Sequence, residues 1–106
     1  MIRIKIQTNQ GKFKKITFSG HALYADYGKD IVCAGVSSIL TTTINGILRI
    51  DETALDYHQK KDGLELNIGK TDEITQKLIE NMICLFEELK STYPKNINIE
   101  SEEKTC

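Results

Sequence analysis

Neither sign of charge dominates this 106-residue chain: 14 basic residues stand against 15 acidic ones, a net of -1 at neutral pH. A protein that holds nucleic acid by its phosphates needs a basic field to displace condensed counterions, so direct nucleic-acid binding falls behind other readings. Cysteine is scarce and odd in number. Cys33, Cys84 and Cys106 form no Cys-x-x-Cys pair and have no matching histidine spacing. That argues against a disulfide framework and a zinc site, and predicts a reducing cytoplasm with no metal or other cofactor.

Neither a repeat nor a low-complexity linker divides the chain, and its length suits one domain over residues 1–106 whose site lies at the edge of its own core. The opening Met1-Ile2-Arg3-Ile4-Lys5-Ile6 alternates apolar and charged residues, where a signal peptide would run apolar, so it reads as a strand. A long uncharged run occurs from Ile31 to Leu48, which reaches the lower limit for a spanning helix. Ser37, Ser38, Thr41, Thr42, Thr43 and Asn45 interrupt it, so it reads as a buried helix, and no membrane partner is expected.

What remains is patterned throughout. Ile2, Ile4 and Ile6 alternate, Asn9-Gln10-Gly11 turns, and Ile16 and Phe18 share a face on the return strand. Phe13 is out of phase with them, which predicts a bulge or a late strand start. Asp30 reads as the N-cap of a helix running to about Ile50, with Cys33 at its third position. Val32, Val36, Ile39, Leu40, Ile44, Ile47 and Leu48 form its broad apolar face. Ala34, Gly35, Ser38, Thr42, Asn45 and Gly46 form a small, uncharged opposite face that predicts cover on both sides, by a second helix or another subunit. A second hairpin turns at Lys61-Asp62-Gly63; Thr71 then caps a helix ended by Pro94, and Asn96 to Glu100 alternates as a last strand. The order ββαββαβ predicts an α+β domain, a mostly antiparallel sheet with both helices packed on one face.

The chemistry gathers around Cys33. A free thiol is mostly protonated at neutral pH, and a helix N-terminus and a nearby imidazole both favour the thiolate. His21 stands twelve residues upstream, across a segment that reads as a loop. In this arrangement Cys33 is the nucleophile and His21 the general base and acid, with the amides of Cys33 and Ala34 placed for an oxyanion. Asp30 serves either as helix cap or as orienter of His21. Gly20 and Gly28 bracket Ala22, Leu23, Tyr24, Ala25 and Tyr27, a glycine-hinged apolar segment suited to covering a peptide. Against this stands the plainer reading that a cysteine in a buried helix is a small core residue.

Gly20-His21-Ala22, followed by Gly28-x-Asp30-Ile31-Val32-Cys33-Ala34-Gly35-x-Ser37, resembles the signature of the bacterial ribosomal-processing cysteine proteases. The resemblance continues more weakly through Asn45-Gly46-Ile47 and over most of the chain, while Glu102 to Cys106 looks like an addition. It implies a cysteine endopeptidase that removes the N-terminal extension of large-subunit ribosomal protein twenty-seven during ribosome maturation, and that works as a homodimer. The alternatives are a non-catalytic ribosome-associated binding module and a thiol-dependent acyl-transfer or redox enzyme.

Overall fold

Alternation in the first hairpin becomes a buried isoleucine row. In the computed structural model, residues 1–20 and 27–102 are described, with side chains described outside 27–30. Strands β1 (Ile2–Asn9) and β2 (Lys12–Ser19) pair antiparallel. Ile2, Ile4, Ile6, Ile16 and Phe18 turn to the core, and Arg3 and Lys5 to solvent. The bulge lies where Phe13's phase requires it. Gln7 pairs with Lys15 and Thr8 with Phe13, so Lys14 is the residue left over.

Helix α1 (Tyr27–Ile50) follows, then β3 (Leu55–Lys60), β4 (Gly63–Ile68), α2 (Glu73–Thr92) and β5 (Ile97–Ser101). The five strands form one sheet in the order β3-β4-β2-β1-β5, antiparallel except for the β1–β5 pair, which is parallel. Both helices lie on the isoleucine face. Val32, Val36, Ile44 and Ile47 of α1 and Ile79, Met82, Ile83 and Phe86 of α2 join the strand residues in one core. Phe86 meets Phe18 edge-on, ring centres 5.6 Å apart.

Three expectations are corrected. Helix α1 begins at Tyr27, a turn before the expected start, so Asp30 lies inside the helix and is not its N-cap, and Gly28 is helical instead of ending a loop. Asp30 favours a cap by local chemistry, but the helix propagates upstream past it. The N-cap of α2 is Asp72, not Thr71; its carboxylate accepts the Thr75 N–H at 3.1 Å. Helix α2 covers one flank of α1, which leaves the rest of the small face to the other cover the sequence allows, a second subunit. Gly35 packs against Leu89 of α2, but Ala34, Ser38, Thr42 and Asn45 are exposed. This helix has the length and apolar composition of a membrane span, and 22% of its most apolar window is buried in the fold. Finally, Cys84 is disulfide-bonded, where the cysteine pattern argues against a disulfide framework, while Cys33 is free.

Candidate active site

Cys33 sits half-buried on the flank of α1 that faces the sheet's end. Val36, Ser37, Leu40 and Thr41 share that flank at helical spacing, and they line one wall of an uncharged cleft of about 270 Å³. Ile2 and Phe18 form its floor, and Gln59, Gly63 and Leu64 of the β3–β4 hairpin form the opposite wall.

Two glycines make this end of the sheet possible. Gly20 ends β2 at φ +81°, and a Cβ there would lie 2.1 Å from the carbonyl oxygen of Met1. Its N–H donates to the Asp62 carbonyl at 3.2 Å, tying the end of β2 to the hairpin turn immediately before His21. Gly63 lies closer still to its neighbour. A Cβ on it would fall 1.8 Å from the Phe18 carbonyl oxygen, so only a bare backbone lets β4 approach β2 beside the cleft.

Of the residues selected from the sequence, the structure places Gly20 and Cys33 together at the cleft. Ala34 points to solvent on the next helical position. His21, Ala22 and Tyr24 lie outside the described residues, as does most of the segment read as a lid; Tyr27 and Gly28 belong to the first turn of α1. The earlier helix start moves Cys33 into the second turn. Its amide and that of Ala34 therefore fall beyond the first four N–H groups, which alone lack an intrahelical acceptor, so these two are not free to serve an oxyanion. The helix dipole also acts more weakly there, since its influence fades after the first turn.

Leu40, Thr41, Gln59, Gly63 and Leu64 were not selected from the sequence. Nothing local marks them, because they meet only once α1 has crossed the hairpin. A larger cavity, about 340 Å³, lies between β2 and α2, lined by Lys12, Phe13, Gln76 and Lys77 among others. It holds no nucleophile, and the Gln76 amide is already engaged by backbone groups. Chemistry, not size, therefore selects the Cys33 cleft. His58 is exposed on β3, 3.6 Å from Asp56, and alternates to the face opposite Gln59. Among the described residues no three His, Cys, Asp or Glu side chains gather as a metal site.

Comparison with known proteins adds an independent line. The family model described as cysteine protease Prp matches residues 1–98. The ribosomal processing cysteine protease Prp of Mycoplasma pneumoniae is 38% identical over 96 residues, covering 85% of this chain and 89% of the relative. Its counterpart in Staphylococcus aureus is 29% identical over 103 residues, covering 93% and 97%. Among solved structures, the essential ribosomal processing protease Prp from S. aureus in complex with a covalently linked product peptide superimposes with a TM-score of 0.86. That match has 26% identity and spans 96% of this chain and 100% of the other.

Proposed function

The chain belongs to the Prp family of cysteine proteases, and from that membership we propose that it cleaves the N-terminal extension from the precursor of large-subunit ribosomal protein twenty-seven. The observation that carries this reading is a free, half-buried cysteine at one end of an uncharged cleft in a fold shared with a protease captured on a covalently linked product peptide.

Cys33 is the nucleophile in this mechanism. His21 takes the thiol proton as Sγ attacks the scissile carbonyl carbon; as the C–N bond breaks, the same imidazole returns the proton to the leaving amine. Water, deprotonated by His21, then attacks the thioester and releases the carboxylate product. Asp30 orients His21 in this mechanism. Gly20 sets the direction in which the chain leaves β2 towards His21, and Ala22, Tyr24 and Tyr27 contact the bound peptide.

The active form is a homodimer. The uncharged exposed row Ala34, Ser38, Thr42 and Asn45 on α1 supports this, since close packing of a second copy there would bury no charge. The precursor is met in the cytoplasm, and neither nucleic acid, nor membrane, nor cofactor takes part.

Incubating the protein with the purified precursor and weighing the products by mass spectrometry tests the reading. Two fragments separated at one bond are expected. An intact precursor, or a stable complex without cleavage, overturns it in favour of a binding module.

A further inference from the structure

The Cys33 cleft continues well past the sulfur. Leu40 and Thr41 stand seven and eight residues beyond Cys33 on the same flank of α1, which at 1.5 Å per residue is about 10–12 Å along the axis. Facing them are Gln59 and Leu64, directly paired across the β3–β4 hairpin. Leu40 and Leu64 are both half-buried against the core and close the cleft's sides, while Thr41 and Gln59 are exposed at its rim.

Three properties of this far end define what fits. It is apolar in depth and bounded by uncharged groups, so a charged side chain entering it would lose its water without gaining a partner. The whole cleft, at about 270 Å³, is smaller than the roughly 300–1,000 Å³ of sites for drug-sized ligands; it suits one large side chain or two small ones. The distance from the thiol also matters. An extended peptide advances about 3.3 Å per residue, so a chain laid along α1 with its scissile carbonyl at Cys33 presents the side chain about three residues away to Leu40 and Leu64.

Building on the protease reading, we propose that Leu40 and Leu64 form a specificity subsite for one large apolar side chain, aromatic or branched, about three residues from the bond that is cut. Thr41 and Gln59 are its rim. Substrate choice is then made largely at a distance from the chemistry: the buried apolar contact anchors the peptide so that the correct carbonyl reaches the sulfur.

The test uses peptides spanning the junction of the precursor, each carrying Phe, Ala or Lys at a single position in turn, with kcat/KM measured for the unaltered protein and for Thr41→Phe and Gln59→Trp. Both substitutions are at exposed positions, and a thermal melt of each verifies the fold. The unaltered protein is expected to favour Phe over Ala by about tenfold or more at a position about three residues from the cut, the scale of a few methylenes in an apolar pocket, and to reject Lys there. Narrowing the rim should reduce that Phe-to-Ala ratio by about tenfold in at least one variant; a role in folding alone would not alter a ratio between two substrates. Cleavage with no preference at that position, or a preference unchanged in both variants, overturns the subsite and leaves the protease reading standing. Failure to cut the intact precursor overturns both.

Discussion

Gln76 of α2 pairs with both backbone groups of Phe13 on β2: its Oε1 accepts the Phe13 N–H at 2.8 Å, and its Nε2 donates to the Phe13 carbonyl at 3.1 Å. Strand β4 pairs with β2 only from Lys15 to Ser19. Beyond it, a side-chain amide from the helix takes the place of the missing strand, and the same Nε2 also reaches the Lys70 carbonyl at 3.1 Å. A buried polar side chain is thus fully used, which is why Gln76 is tolerated at 8% exposure.

Replacing it tests this account. Gln76→Leu keeps the bulk but leaves the Phe13 N–H and carbonyl without partners, and unpaired buried groups are destabilising by about 1–3 kcal/mol each. A loss of about 2 kcal/mol or more in urea unfolding is expected. An unchanged midpoint would show that water replaces the amide without penalty.

Asp51 governs acid sensitivity at the end of α1. A hydrogen bond from the Lys70 side chain, then bonds from the Thr53 hydroxyl and backbone, hold its pKa at about 2, below the ordinary 3.8. Because the folded value is the lower one, the stabilisation is fully present above 3.8 and is lost as pH falls through about 2. The difference in melting temperature between the native protein and Asp51→Asn should therefore hold steady above about pH 5 and close towards pH 2. A pH-independent difference would assign the effect to something other than the charge.

Glycines should part ways according to what surrounds them. A Cβ at Gly46, inside α1, meets nothing within 4 Å, so Gly46→Ala should stabilise by about 0.5–1 kcal/mol through lower backbone entropy in the unfolded chain. Gly63→Ala would drive its Cβ into the Phe18 carbonyl and should destabilise by about 1–3 kcal/mol or more while lowering turnover, because Gly63 also walls the cleft. Paired thermal melts settle both signs.

Cys33 separates catalysis from packing. It is only half-buried, so Cys33→Ala should leave the melting temperature within a few degrees while abolishing precursor cleavage. Cys33→Ser should retain peptide binding, measured by fluorescence anisotropy, with most of the rate lost. Normal cleavage by either variant would remove Cys33 from the mechanism.

The alternating isoleucines of β1 were enough to foresee a hairpin, since a strand's two-residue period ties each side chain to a face; the phase slip at Phe13 left a bulge and a late strand start open, and the register chose the bulge. The 3.6-residue period did the same for α1, whose Val32, Val36, Ile44 and Ile47 are buried. The Gly20 to Ser37 motif carried the family. Helix starts were less legible: Thr71 and Asp72 can both cap, and which one does depends on the arrival of the β4–α2 connection. At α1, the cap preference of Asp30 gave way to continued helix.

Which faces are buried, which segments are strands or helices, and which thiol stands with a histidine in one motif are written in residue order, because side-chain direction follows the local backbone period. The neighbour of each strand, the parallel pairing of β5 with β1, the Gln76–Phe13 contact and the Leu40–Leu64 end of the cleft were decided only when the chain closed. These join residues far apart in sequence, and their partners are chosen by the shared burial of one core.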